Sequence, residues 1–402
     1  MTKRIVILGT GITSVTAIKA IREIDLDSEI YLMGQEKFYP YNRVKLSKGL
    51  FDNLEENSIL LQKKEWYEQN KVKIFINTKV VNINTDRFEL ILCDGSKVKY
   101  DKLLIATGSS NNIPPIDGIG KDGVYTLRSL NDALNIKNSL NESAQVIIIG
   151  GGIQGLEMAW IVHQHGKKAT IIELQSRLMP YQLDNKASEI LRDIIQGYGI
   201  EILTNTGVVK ITGDTKVASI LIDKEVKLKC DMVIYSTGIK ANKELISNTK
   251  VETARGIVVN NKMETNIKNI YAAGDIAQFD NKVIGLWNIA IAQGKVAGYN
   301  IAGKETVYEN VTPVTTLNAF GISLFSMGCV DESESTKVLL DEDVNFKIYR
   351  KIFIKNNKVI GAIVIGDMKR SPLLKSAIEK GIRIGDVNLS VDELLDKLKN
   401  NK

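Results

Sequence analysis

Two glycine series in this 402-residue chain have the residue types and spacing to hold a dinucleotide. The first is Gly9-x-Gly11-x-x-Ser14, with Ile12 and Thr13 inside it, and the second is Gly150-Gly151-Gly152-Ile153-Gln154-Gly155. Glycines at these places let the chain turn tightly and let its backbone approach a pyrophosphate. That group then sits on a helix N-terminus, where unpaired N–H groups and the helix dipole favour anions. The third position wants a small residue so that helix and strand pack closely, which Gly155 supplies outright and Ser14 nearly so. A carboxylate beyond the following strand completes such a site by accepting hydrogen bonds from a ribose. In the second series that group is Glu173, which would repel a 2′-phosphate and so favours NADH over NADPH, with Arg177 near enough to blur the preference. In the first series the candidates are Gln35 and Glu36, and both stay open.

Each series needs a strand before it and a helix after it. The apolar run RIVIL precedes the first, an amphipathic stretch VTAIKAIREID follows, and EIYLMG supplies the next strand. The same order returns as QVIII, the glycines, LEMAWIVHQHG and KKATIIEL. Both units then run into β-rich segments that close on matching ends, DKLLIATG with Asp101, Thr107 and Gly108, and DMVIYSTG with Asp231, Thr237 and Gly238. One module, a βαβ unit with a β-meander and a returning strand, is therefore expected twice. Residues 257–275 supply another strand and turn, and LWNIAIAQGKVAGYNIAG a long helix, so the second module is expected to be inserted in the first, with crossings near 111–117 and 240. From about 311 a third region begins. It holds a hairpin around Asn356-Asn357 and two helices, the last with Ser390 and Glu393 as a capping box.

Composition narrows the classes. Hydrophobic residues make up 44% and charged residues 25%, so folding throughout is expected. A net charge of +6 over this length is no nucleic-acid-binding pattern. No apolar stretch reaches a membrane span and no export signal is read, which points to a soluble, cytoplasmic protein. Cys93, Cys230 and Cys329 are far apart with no C-x-x-C, so neither a zinc ribbon nor a dithiol centre is read from them. His163 and His165 are two apart near a helix end and face different ways, so no metal site is expected.

The series GxGxxS, YDKLLIATGS, GGGIQGLE, STGI and YAAGDIA resembles the two-dinucleotide flavoproteins of the pyridine nucleotide-disulfide oxidoreductase superfamily, over residues 1 to about 305. PYNRVKLS, SLFSMG and KVIGAIVIGD are similar to NADH:rubredoxin reductases and to the FAD domain of nitrite reductase large subunits. The resemblance implies an α/β fold with two Rossmann-like dinucleotide-binding domains, the NAD domain inserted in the FAD domain, plus a small α+β carboxy-terminal domain. The expected boundaries are 1–112 and 240–310 for FAD, 113–239 for NAD and 311–402 for the last.

Carried over by position, the resemblance places Arg43, Val80, Ala106, Thr107, Gly108, Arg128, Gly274 and Asp275 around FAD, Asp275 accepting hydrogen bonds from the ribityl chain. It places Gly238 near the nicotinamide nucleotide and Trp287 near the flavin ring. Relatives that handle peroxide or oxygen carry a cysteine in a pattern like L-S-C-G, whereas this chain reads Leu46-Ser47-Lys48-Gly49. Lysine there resembles oxidoreductases that feed small iron proteins and the apoptosis-inducing-factor group, in which it pairs with a glutamate like Glu157 beside the flavin. The implied activity takes hydride from NADH onto FAD and passes single electrons to a rubredoxin-like carrier, with no nucleic-acid or membrane partner and with a monomer or homodimer as the assembly. The alternatives are an NADH oxidase that makes peroxide and a redox-signalling protein responsive to FAD and NADH.

Overall fold

Strands that are buried on both faces read as unbroken apolar runs, and RIVIL and QVIII form the centres of two parallel sheets. A computed structural model describes residues 2–50, 54–343, 348–385 and 389–400. Its contacts divide the chain into two units, one of residues 1–112, 128–130 and 238–311, the other of 113–127, 131–237 and 312–402.

In the first unit the parallel sheet runs Ile270–Ala272, Lys102–Ile105, Arg4–Leu8, Glu29–Met33, Val72–Phe75. Asp101 steers the returning strand into place, its carboxylate accepting from the Arg4 N–H at 2.6 Å. The helix Ile12–Arg22 follows the central strand, and the helix Trp287–Ala302 packs on it. That packing is close because a Cβ on Gly294 or Gly298 would lie 2.5 Å from the carbonyl oxygen of Thr13 or Ala17. The meander Val80–Asn84, Glu89–Leu92, Lys97–Lys99 turns at Gly95, whose φ is +83°. Where the chain leaves and re-enters this unit, Ser109–Asn111 and Ile239–Ala241 pair antiparallel.

The second unit repeats the plan. Its parallel sheet runs Glu201–Leu203, Lys168–Ile172, Gln145–Ile149, Met232–Tyr235, Val124–Tyr125, with the helix Ile153–Gln164 after the central strand and the meander Val208–Thr212, Ser219–Ile222, Lys227–Lys229. It also contains an antiparallel sheet in the order Val314–Ala319, Ile322–Gly328, Lys358–Ile365, Ile348–Lys355, Lys337–Asp343, flanked by the helices Ser371–Lys380 and Val391–Asn400. The Asn356-Asn357 hairpin turn forms with φ values of 50° and 58°, as a two-residue turn requires. The Ser390–Glu393 capping box also forms, Ser390 N donating to Glu393 Oε2 at 2.7 Å and Glu393 N to Ser390 Oγ at 3.2 Å. Among the described residues, separate apolar clusters form around Ile7 and Ile270, around Ile149 and Val233, and around Ile352 and Leu394. No helix among the described residues is long and apolar enough to cross a membrane.

Candidate functional site

The glycines of the two turns divide by what makes them necessary. Gly9 has φ +107° and a Cβ there would lie 2.1 Å from Ala106 O; Gly150 has φ +113° and its Cβ would lie 2.4 Å from Ser236 O. Each is demanded by the protein's own backbone at the end of the returning strand. Gly11 and Gly152 are different. They cap the helices Ile12–Arg22 and Ile153–Gln164 in extended conformations open to any residue (φ −91°, ψ −176° and φ −79°, ψ 178°). An added Cβ meets no protein atom within 4 Å at either, and neither helix start carries a side-chain cap. Glycine there lets a ligand come close to the backbone, and the donors on offer are the unpaired N–H groups of a helix N-terminus, so the residues fit a pyrophosphate twice over. The third positions differ as expected. A Cβ on Gly155 would lie 2.0 Å from Gly150 O, whereas Ser14, fully buried, donates its hydroxyl to Gly9 O at 2.6 Å.

The ribose-side residues are not placed alike. Gly150 N donates to Ile172 O and Gly9 N to Met33 O, both at 2.8 Å, so Glu173 and Gly34 occupy equivalent places. Glu173 is 8% exposed and accepts from Gly151 N at 2.6 Å and Gln175 N at 2.7 Å. A Cβ on Gly34 would lie 2.4 Å from Thr10 Cγ2, so no acid fits at that point of the first module. Of the two candidates beyond it, Glu36 accepts from Tyr41 Oη at 2.6 Å and pairs with Arg43. Gln35 is exposed. Arg177 is turned to its own loop, donating to Pro180 O at 2.9 Å and Leu183 O at 3.4 Å.

Around the first turn the chain gathers a polar cluster. Gly274, with φ +82°, sits so close to the helix start that a Cβ would lie 2.4 Å from Thr13 Oγ1, and its N–H is bound by the buried Gln293 at 2.8 Å. This fixes Asp275, 15% exposed, which accepts from Arg128 Nη2 at 2.7 Å and Ser109 Oγ at 2.9 Å. Arg128 also donates to Ser109 O at 2.9 Å and Oγ at 2.8 Å. Arg43 donates to Arg128 O and Tyr41 Oη, each at 2.9 Å. Burial alone would lower the Arg43 guanidinium, but Tyr41 and Glu36 beside it more than offset that and hold it above its usual range. Ala106 and Thr107 follow the returning strand Lys102–Ile105, Asn242 Nδ2 donating to Thr107 O at 2.9 Å, and Gly108 comes next with φ +67°. Trp287 begins its helix half-buried and Val80 begins the meander opposite Leu92.

Ser109, Tyr41 and Gln293 belong to this cluster and were not among the residues read from the sequence. Tyr41 is two residues before Arg43 and also binds Leu130 N at 3.0 Å, and burial holds its hydroxyl well above the usual phenol range. The polar run Thr107-Gly108-Ser109 was the available signal for Ser109.

Lys48 is exposed and ends the short helix Lys45–Lys48, between buried Leu46 and Ser47 and buried Leu50. Its segment runs antiparallel to residues 59–61, Asn42 N donating to Ile59 O at 2.8 Å and Leu61 N to Pro40 O at 2.9 Å. Glu157 lies in the helix Ile153–Gln164, half-buried. At that helix start, Ile153 is half-buried and Gln154 binds Leu127 O at 2.7 Å and Ser236 Oγ at 2.9 Å. Gly238, with φ +91°, has no protein atom within 4 Å of an added Cβ.

The residue pattern described as pyridine nucleotide-disulphide oxidoreductase matches residues 3–294, and that of the rubredoxin NAD+ reductase C-terminal domain matches 313–382. The chain belongs to the pyridine nucleotide-disulphide oxidoreductase family, and its cofactors are FAD and NADH. It is 34% identical over 395 residues to the NADH-rubredoxin oxidoreductase of Clostridium acetobutylicum, covering 98% of this chain and 99% of that one. The crystal structure of NADH:rubredoxin oxidoreductase from that organism covers 100% of both chains, with a TM-score of 0.81 and 32% identity. The rubredoxin-NAD(+) reductase of Pseudomonas putida is 29% identical, covering 93% of this chain and 99% of that one. The nitrite reductase [NAD(P)H] of Bacillus subtilis is 32% identical, and there the chain covers 96% of itself but 48% of the relative.

Proposed function

We propose that the chain is an NADH-dependent FAD oxidoreductase that delivers electrons to a small, acidic iron protein of the rubredoxin kind. The observation that carries this reading is the pair Gly11 and Gly152, N-capping glycines that leave the helix-start N–H groups open to a close phosphate, in a chain with lysine where the thiol of peroxide-handling relatives would stand. NADH would supply the hydride, and FAD would accept it and release electrons singly, chemistry that no side chain here offers. The protein's own groups bind and orient. The helix start after Gly11 takes the FAD pyrophosphate, and Asp275, fixed by Arg128 and Ser109, takes the ribityl hydroxyls. Since Glu36 is engaged by Arg43 and Tyr41, Gln35 is assigned to the FAD ribose. Glu173 reads the NADH ribose. Lys48 and Glu157 are assigned to the reacting rings, where fixed charge orders the nicotinamide.

Charge favours an acidic acceptor. The unit that carries Lys48 has 27 Lys and Arg against 21 Asp and Glu, while the other has 26 of each, so the whole net charge of +6 belongs to the first. Lys37, Lys45, Lys48, Lys63 and Lys64 are exposed on the two antiparallel segments, and none makes an ion pair with a described residue. The three-domain division at 112, 239 and 310 is supported by the separate apolar clusters that the described residues form in each part. Cytoplasmic location and a monomeric or homodimeric state belong to the same reading, the three free cysteines fitting a reducing compartment.

The test is anaerobic reduction by NADH, followed by mixing with rubredoxin, with a neutral quinone and with oxygen. Rubredoxin should be reduced fastest, and its rate alone should fall as salt rises. Protein that takes up no FAD, or oxygen consumed as fast as rubredoxin is reduced, would overturn the proposal.

A further inference from the structure

The strand Ile348–Lys355 reaches a loop that belongs to the nucleotide module. Residues 174–184 join Glu173 to the helix Asn185–Gln196, and they fold back over the second glycine turn. Met179 N donates to Gly151 O at 3.1 Å, and the Leu178 side chain closes over Gly151. Met179 is fully buried with φ +46°, a left-handed conformation rare for a methionine and one that its surroundings must enforce.

Those surroundings come partly from the antiparallel sheet. Ser326 Oγ donates to Gln182 O at 2.6 Å. Asp184, whose Oδ1 caps the following helix by accepting from Ala187 N at 2.9 Å, receives Tyr349 Oη on Oδ2 at 2.7 Å and pairs with Lys351. Lys351 is 9% exposed at its side chain and pairs also with Glu332. A cation this buried between two carboxylates is costly unless its place is fixed, so the arrangement holds one geometry.

We propose that Ser326, Tyr349 and Lys351 are positioning residues for the pyridine nucleotide: by anchoring residues 182–184 they hold the loop 174–184 against Gly151, and so keep the glycine turn and Glu173 in binding register. This rests on the assignment of NADH to the second glycine series. It gives the carboxy-terminal sheet a part in the NADH half of the reaction, separate from any part in choosing the electron acceptor.

The experiment compares the unaltered FAD-loaded protein with Tyr349→Phe, Lys351→Met and Lys351→Arg. Calorimetry reads the affinity for ADP-ribose, which has the adenine, ribose and pyrophosphate but no nicotinamide. Kinetics read kcat and KM for NADH and for reduced nicotinamide mononucleotide with a neutral quinone. Tyr349→Phe and Lys351→Met should weaken ADP-ribose and raise the KM for NADH at least fivefold. Their kcat, their FAD content and their rate with the mononucleotide should stay within twofold, and Lys351→Arg should recover most of the affinity. Should Lys351→Met fail to fold, Tyr349→Phe and Ser326→Ala, which remove single hydroxyls, carry the same comparison. ADP-ribose affinity unchanged in the variants, or an equal loss with the mononucleotide, would overturn this proposal alone. An unaltered protein blind to ADP-ribose would overturn the NADH assignment with it.

Discussion

Replacing Gly152 by alanine separates a glycine kept for a ligand from one kept for the fold. At φ −79° and ψ 178° alanine is unstrained, and its methyl meets no protein atom within 4 Å. Stiffening the unfolded chain stabilises by about 0.4–1 kcal/mol, and alanine is the poorer N-cap by a similar amount. The melting temperature should therefore move by less than about 2 °C. The methyl stands where the pyrophosphate must approach, and overpacking of about 1–3 kcal/mol corresponds to a loss of roughly five- to 150-fold in affinity. Gly155→Ala is the counterpart. Its methyl would lie 2.0 Å from Gly150 O, so backbone must move and about 2 kcal/mol of stability should go, roughly 4–8 °C. Thermal melts and ADP-ribose calorimetry on both variants give the answer. Nucleotide affinity intact in Gly152→Ala, or a melting temperature lowered as far as in Gly155→Ala, would refute the argument that a phosphate, not the fold, requires this glycine.

Other consequences are open to direct measurement. Glu173→Ala removes a carboxylate that would oppose a 2′-phosphate, and the kcat/KM preference for NADH over NADPH should fall about tenfold or more, measured with both coenzymes at low salt. Lys48→Met should slow the reduction of the flavin by NADH about tenfold in stopped flow while FAD content stays the same, since Lys48 is exposed and its loss breaks no described ion pair. Burial alone would raise the Asp184 carboxyl, but hydrogen bonds from Lys351, Ala187 N and Tyr349 outweigh it and leave the folded value below the ordinary one. A carboxyl depressed in this way contributes stability above its unfolded value of about 3.9, and the contribution is lost as pH falls through the folded value. Acid unfolding of Asp184→Asn, followed by circular dichroism, should accordingly depend less on pH below about 4 than that of the unaltered chain.

The parts of this molecule legible in its sequence are those where one residue's chemistry answers one local demand. RIVIL and QVIII had to be central parallel strands because nothing polar interrupts them, and Asn356-Asn357 had to be a turn because both residues tolerate positive φ. Glycine spacing likewise announced two tight turns between strand and helix. What stayed hidden depends on residues far apart in the chain. Nothing near Asp275 in sequence reveals that Ser109 and Arg128 would hold its carboxylate, and nothing near Gly151 reveals that a loop anchored by Tyr349 and Lys351 would lie over it. Gln35 and Glu36 could not be told apart because the difference lies in Tyr41 and Arg43, which engage only one of them.

The two modules share one plan and differ in the side on which bulk lies across a single contact. In the second, Gly151 leaves room for the Glu173 carboxylate, which reaches back to bind its N–H at 2.6 Å. In the first, Thr10 fills the same space, and only a glycine, Gly34, fits opposite it. On the proposed assignment the ribose-reading group of the first module is then Gln35, further along the chain, in the segment that leads into Tyr41, Arg43 and Lys48. That displacement would tie recognition of the FAD ribose to the segment that bears the exposed lysines. In the second module the acid stays beside the glycine turn, on which the loop 174–184, bonded to Ser326, Tyr349 and Lys351, packs. On the proposed assignments, side-chain volume at residues 10 and 151 decides which distant part of the chain each coenzyme site depends on.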